Sequence, residues 1–436
     1  MHAGRLASSP GVAWTAVAVV VALVSLPFGH ALAFDPSAWI VWGREVWSLD
    51  LDTSAGPSWK PFPLLVTAPA AVLGDGAATA WLLVARAGAV LAVVGAARLA
   101  ATVGGRPGAA LAAVLVVSSP WWLLNAALGN ADPILAALVV WAVLAAAGGD
   151  VRTAFVLGAL GALIRPEVWP FLLAWALVQL RRGTLRPGPA VVAGAVVLAL
   201  WVVPDLLASG LDSTRGATGE ASEGSAKHSD VPFLTVWADL GRIGGWTTLV
   251  VAVLAVAVGP WRGGRGRCDP ASPVTWLGLA LAYTLLVAAM TQWGGFAGNP
   301  RYLVPGLGLL AAAAGAVAAR GPVRPGVPRA LVVSAIAAVA VATGWSDLRE
   351  QGRTVDERVA VRDGLRRAID DAGGRERLAA CGPVRSGPGL RTLVAETLRQ
   401  SVTDAARRPV PGAAGVVPGD APGAWTVVRG ACPDGR

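Results

Sequence analysis

The sequence predicts an all-α polytopic membrane protein of about ten to twelve transmembrane helices, followed by a small extracytoplasmic α/β domain. Three observations carry this expectation. The 436-residue chain is 55% hydrophobic and only 14% charged, whereas a soluble chain carries roughly 25% charged residues. Apolar runs of about 17–25 residues, each long enough to cross a bilayer as a helix, recur as far as about residue 345. The loops between them alternate in character. Short loops carry arginine, and longer ones carry Asp, Glu, Trp and the two lysines, Lys60 and Lys227. The positive-inside bias places the arginine loops in the cytoplasm. It also accounts for the net charge of +9 without nucleic acid, because the arginines stand at the ends of apolar runs and no basic stretch with interleaved aromatics lies elsewhere.

Arg5 precedes the first run, at 12–33, so the N-terminus is expected to be cytoplasmic. Ala31-Leu32-Ala33 resembles a signal-peptidase site, but Asp35 and further spans follow, and the run is expected to be retained. Residues 34–77 form a long outer loop, within which Pro61–Leu73 is apolar but too short to span and reads as interfacial. Spans follow at 78–103, 109–124 and 133–147. The stretch 153–180 is interrupted by Arg165-Pro166-Glu167. Proline disfavours helix at the preceding residue, and two half-length segments keep Arg181, Arg182 and Arg186 inside. Non-helical backbone at depth is tolerated only where it lines a polar cavity. Further spans are expected at 189–207, 246–260, 273–290, 303–319 and 330–344, with a polar outer loop at 209–242. Of the 19 tryptophans, Trp121, Trp122, Trp201, Trp246, Trp261, Trp293 and Trp345 stand near segment ends and read as interfacial anchors.

The chain therefore divides into a membrane domain, 1–345, and an extracytoplasmic domain, 346–436. The latter shows helical patterns at 355–369 and 390–402, β-like runs at 378–384 and 425–428, and a Pro/Gly-rich loop at 408–423. Cys381 and Cys432 both fall on this oxidising side and are expected to pair, while Cys268 falls in an inner loop. No spacing of Cys, His or acids points to a metal site.

Four segments carry polar groups fit for chemistry. Asp35 precedes Pro36, a pairing that reads as a helix N-cap with proline at the first helical position. A helix starting there puts Trp39 and Trp42 at i+4 and i+7, on the same face as the carboxylate, a wall suited to a sugar ring or an isoprenoid. Lys60 lies between Trp59 and Pro61, held at the interface where an ammonium can neutralise a phosphate. Arg165 and Glu167 sit at membrane depth, where ionisable groups are costly unless paired or solvated; mutual pairing would satisfy both. Arg301-Tyr302 enters a span from the side the positive-inside bias disfavours, where a snorkelling arginine is the plainer reading. Together Lys60, Arg165 and Arg301 would make a cationic site at the outer leaflet for an anionic lipid head group. Trp39, Trp42, Trp59, Asp132, Glu167 and Tyr302 are the expected substrate contacts around it.

This pattern resembles the GT-C superfamily of integral-membrane glycosyltransferases. The shared features are a first span ending in an acid (Asp35) on a long outer loop, an interfacial helix, short mid-chain segments, a late Arg301-Tyr302 at a span entrance and a C-terminal outer domain. The chain looks most like bacterial mannosyltransferase-like and aminoarabinose-transferase-like members, and its composition is that of a high-GC actinobacterium. The resemblance implies a cell-envelope enzyme, hexosyltransferase-like. It would move a sugar from a polyprenyl-phosphate carrier to an acceptor of unspecified class, with inversion. Asp35 would be the general base, and Lys60, Arg165 and Arg301 would stabilise the departing phosphate. Many members carry a second acid where this chain has Pro36, so no cofactor is expected and the sequence does not support a divalent metal. Two rivals stay open at this stage: a flippase or transporter for lipid-linked saccharides, and a non-catalytic scaffold of envelope assembly.

Overall fold

A computed structural model describes residues 10–211, 224–258, 269–320, 328–387, 389–406 and 414–428. The helices of the first half are α1 (Pro10–Val24), α2 (Phe34–Ser48), α3 (Pro61–Ala70), α4 (Gly76–Val117), α5 (Pro120–Ala127), α6 (Asp132–Ala147), α7 (Val151–Ala162) and α8 (Trp169–Arg181). They are followed by α9 (Pro187–Ser209), α10 (Pro232–Gly244), α11 (Trp246–Val258), α12 (Pro273–Trp293), α13 (Val304–Ala318) and α14 (Arg329–Asp371). Three short helices, α15 (Arg375–Ala379), α16 (Arg391–Leu398) and α17 (Val402–Ala406), and a hairpin of β1 (Gly415–Pro418) and β2 (Trp425–Val428) complete the described chain.

α13 is the hub. Its residues from Val304 to Val317 are buried, and it packs against α4, α6, α11 and α12. Small residues make this possible, because they let helix backbones approach closely where no water drives association. A Cβ on Gly315 would lie 2.5 Å from the Gly108 carbonyl oxygen, and one on Gly104 would lie 2.9 Å from the Ala316 Cα. α4 is itself two segments joined at Gly105, whose φ of 62° and ψ of −156° belong to a region essentially reserved for glycine. By contrast α9 turns nearly all of its surface outward, as a lipid-facing helix does.

Among the described residues, five helices are long and apolar enough to cross a membrane, or six if α5 and α6, bent by 115°, act as one span. The expected ten to twelve is approached only by counting the two halves of α4 and the shorter α1, α7, α8 and α11, which fall below the ~20 residues of a full crossing. The interruption expected at Pro166 is present: α7 ends at Ala162, Arg165 is extended, and a 3-10 turn at Pro166–Val168 leads into α8.

α14 runs unbroken through residue 345, so a helix and not a loop crosses the expected domain boundary. Other expectations need correction. The β-like run at 378–384 is not a strand; its first residues belong to α15, because Arg375–Ala379 closes one helical turn after the Gly373-Gly374 bend. The loop expected at 408–423 contains β1, which pairs antiparallel with β2 in the register Gly415 to Val428. Trp122 is buried in the core rather than anchored at an interface, whereas Trp246, Trp293 and Trp345 are exposed. Trp261 and Cys268 lie outside the described residues.

The α4–α13 contact gives a direct test. Gly315→Leu forces side-chain atoms into the backbone of Gly108 and Ala112, an overpacking that costs about 1–3 kcal/mol. The variant should lose its monodisperse size-exclusion peak in detergent at a lower temperature than wild type. Gly194→Leu on α9, where a Cβ meets nothing within 4 Å, should behave like wild type.

Candidate active site

The site begins with the first turn of α2. Its N-cap is Ala33, in extended conformation, and not Asp35. Asp35 sits one residue inside the helix, where the N-terminal end of the dipole favours a carboxylate, and its side chain makes no cap bond. Instead, Asp35 Oδ2 accepts from Lys60 Nζ at 2.6 Å and from Arg301 Nη2 at 2.9 Å. Lys60 is the extended residue just before α3, whose first residue is Pro61. Arg301 belongs to a 3-10 turn, Pro300–Leu303, that leads into α13. A second donor of Arg301, Nη1, reaches Asn130 Oδ1 at 3.0 Å, and Asn130 in turn donates to Asn125 Oδ1 at 2.8 Å. The sharp α5–α6 elbow is what brings Asn125, Asn130 and Asp132 to this place.

Arg165 stands beside this cluster. Its Nε and Nη2 donate to Asp132 Oδ1 at 3.0 and 2.7 Å, and Nη1 donates to Glu167 Oε1 at 3.2 Å. Its guanidinium lies 4.0 Å from the centre of the Tyr302 ring, with Arg301 at 5.7 Å from the same ring. Tyr302 Oη accepts from Asn299 at 3.1 Å. Three carboxylates (Asp35, Asp132, Glu167) thus meet three cations (Lys60, Arg165, Arg301), and the set is neutral. Neutrality is what allows its burial: Asp35 is 5% exposed, Lys60 7% and Arg165 3%, levels that isolated charges do not tolerate.

Burial alone would raise the Asp35 carboxyl, but the charges of Arg301 and Lys60 outweigh it and hold the group well below the usual carboxylate range. Burial lowers the Lys60 ammonium, and Asp35 only partly offsets this. Several buried polar atoms on the surrounding elements have no hydrogen-bond partner among the described residues, among them Ser37 Oγ and Trp39 Nε1 on α2, Glu167 Oε2, and Tyr283 Oη on α12, which packs on the Pro166–Val168 turn.

Not every expected contact meets here. Trp39 does, with Lys60 Nζ at 5.3 Å from its ring centre and Trp81 edge-on at 5.1 Å. Trp42 and Trp59 pack on one another at 5.7 Å, and their ring N–H groups are spent on the carbonyls of Asp52 and Leu200. They support α2 from behind. Asn125, Asn130, Trp81 and Tyr283 were not among the expected site residues. The two asparagines share a short loop with Asp132, which was the available signal; Trp81 and Tyr283 lie within apolar runs and gave none. Cys381 is disulfide-bonded, and Cys432 lies outside the described residues.

No protein-family profile matches the sequence, and no curated protein does. Among solved structures, ArnT from Cupriavidus metallidurans bound to undecaprenyl phosphate matches with a TM-score of 0.62 at 16% identity, over 96% of this chain and 94% of that one. The same protein in the apo state matches with a TM-score of 0.63 at 16% identity, over 94% and 93%. Arabinofuranosyltransferase AftD from Mycobacteria gives a TM-score of 0.42 at 17% identity, over 86% of this chain and 29% of that one. The chain therefore has the fold of ArnT, the architecture its sequence resembles.

The opposite end of α2 offers a pH test. Arg44 donates to the Ala395 carbonyl of α16 at 3.3 Å. Beside it, burial pushes the Glu45 carboxyl up to about 7, with the Asp52 and Asp50 charges adding to the shift and the Asp52 N–H and Arg44 opposing it. A carboxyl raised by folding binds its proton more tightly in the native state. Stability should therefore fall as pH rises from about 5 to 8. Thermal melts across this range should show the decline in wild type, and Glu45→Gln should flatten it and melt higher than wild type at pH 8.

Proposed function

We propose that this protein is a membrane glycosyltransferase that moves a sugar from a polyprenyl-phosphate carrier to an acceptor at the outer face of the cytoplasmic membrane. The observation that carries this reading is the Lys60–Asp35–Arg301 triad, one carboxylate gripped by two cations drawn from three remote segments. The fold supports it, since its neighbour ArnT was solved with undecaprenyl phosphate. The alternating arginine loops support an orientation with the N-terminus in the cytoplasm and the C-terminal domain outside.

The resting pairs define the mechanism. Asp35 bound to two cations is a weak base, and the cations are not free. A donor phosphate brings the charge that competes for them. As Lys60 and Arg301 turn to the phosphate oxygens, the carboxylate loses the partners that depress its basicity. It then accepts the proton of the acceptor hydroxyl. The acceptor oxygen attacks the anomeric carbon from the face opposite the phosphate and the carbon–oxygen bond to the phosphate breaks. The electron pair leaves on the polyprenyl phosphate, stabilised by Lys60 and Arg301. The configuration inverts. Arg165 can join only by exchanging Asp132 or Glu167, so its first task is to hold Tyr302 and bias the field at Lys60. Trp39 Nε1 stands one turn from Asp35 on the same helix face, placed to bind a sugar hydroxyl.

The test uses purified protein and polyprenyl-phosphate sugar labelled in the sugar, with membrane extract as the acceptor source. Asp35→Asn should lower turnover by about 10²–10⁴. Lys60→Ala and Arg301→Ala should also raise the KM for the donor. Wild-type turnover in Asp35→Asn, or undiminished movement of lipid-linked saccharide across vesicles with no transfer in either protein, would defeat the reading in favour of a flippase.

A further inference from the structure

A cavity of about 710 Å³ lies between the C-terminal part of the chain and the membrane body, within the range of roughly 300–1,000 Å³ found for small-molecule sites. One wall is the end of α14 with α15 and α16. The other is the segment before α2 and the start of α4. It is separate from the Asp35 cluster, none of whose charged residues lines it.

Its chemistry is mixed in a particular way. Arg362, Arg366 and Arg375 line it together with four acids, Asp75, Asp370, Glu376 and Glu396, and with an aliphatic floor of Leu32, Leu82, Ile369 and Leu393. Arg362 is fixed by donating to the His30 carbonyl at 2.7 Å, and Arg375 by pairing with Asp75 at 3.4 Å. A guanidinium presents paired donors and a carboxylate paired acceptors, and neighbouring hydroxyls on a sugar ring can engage either. The aliphatic floor suits the C–H face of the ring. A polyanion would require walls of one sign, and a lipid tail would require an apolar lining.

The cavity also adjoins the reacting end of α2. Leu32 precedes Asp35 by three residues, and Arg391 at the start of α16 lies 4.7 Å over the Phe34 ring. Arg358, Arg362 and Arg366 recur at four-residue spacing on α14, hence on one face. Val355 of that face packs in one cluster with Ala33 and Leu128, the neighbours of Asp35 and Asn130. The same helix face thus bounds the cavity and packs on the segment that leads into Asp35.

We propose that this cavity is the acceptor site, and that it holds the outer rings of a neutral oligosaccharide whose terminal hydroxyl reaches Asp35. The acceptor role rests on the transferase reading above. The test is hydrogen exchange on the full chain in lipid nanodiscs, with maltotriose or mannotriose as probes at about 50 mM, a concentration that reveals even millimolar binding. Peptides covering 362–376 and 391–397 should exchange more slowly with at least one trisaccharide. The protection should persist in Asp35→Asn and be lost in the Arg366→Ala/Glu376→Gln double variant. No protection with either probe, protection undiminished in the double variant, or stronger protection by glucose 6-phosphate would overturn the proposal. Labelled-sugar transfer without protection would sink the acceptor site alone, whereas protection in a protein that transfers no sugar would sink the transferase reading and with it the acceptor role.

Discussion

The structure depends on keeping six charges paired and neutral, five of them buried and Arg301 partly so. Lys60 and Asp35 are 25 residues apart, Asp132 and Arg165 are 33 apart, and Asp35 and Arg301 are 266 apart. Each alone would be expelled to solvent or neutralised, since a lone buried charge is unstable. The cluster can therefore form only when the α2 turn, the Pro61 entry to α3, the α5–α6 elbow, the Pro166 break and the entry to α13 have all docked. Each of these is a place where regular helix is interrupted. Where helices would satisfy their own amides, these segments forgo regular hydrogen bonding and gain the directions in which to aim side chains.

Much of this was legible in the sequence because two physical signals are local. Hydrophobic runs and their flanking arginines located α4, α6, α9, α12 and α13, and the dipeptides with proline marked where they break. Asp35, Lys60, Arg165 and Arg301 stood out because an ionisable residue in an apolar context needs a partner. The partners themselves were not legible. Nothing in the local sequence says that Asp132, and not only the nearby Glu167, neutralises Arg165, or that Asn130 braces Arg301, because those contacts are set by how helices cross. Asp35 was misread as a helix cap for the same reason. The Asp-Pro signal is local, and it lost to a carboxylate with two cations in reach.

The tryptophans teach the complementary lesson. Trp39 and Trp42 were placed on one face by helical periodicity, and both are buried on α2. They nonetheless face different neighbours, Lys60 and Trp81 for one and Trp59 for the other. Periodicity specifies a face; it does not say whether that face meets a substrate or a second layer of core. The small C-terminal region was harder still. Its elements are a turn or two long, below the length at which periodicity is informative, and one continuous helix crosses the boundary that composition implied.

A neutral resting cluster also bears on how a ligand is admitted. Three free cations would bind any passing phosphate, including bulk anions, and would destabilise the fold by mutual repulsion. With the charges paired, a phosphate must offer as much as Asp35 does, in the same geometry, before Lys60 or Arg301 changes partner. In the proposed reaction, binding is then an exchange in which Asp35 gives up its cations to the phosphate, and the carboxylate becomes a better base only when the donor is in place. The same coupling means that removing a single charge unbalances the remaining five, because breaking a buried pair leaves an uncompensated charge worth about 3–5 kcal/mol. A loss of activity in such a variant speaks to catalysis only when the protein still melts as wild type does. Paired removal of a carboxylate and its cation separates the two effects, since it restores neutrality while leaving the chemistry incomplete.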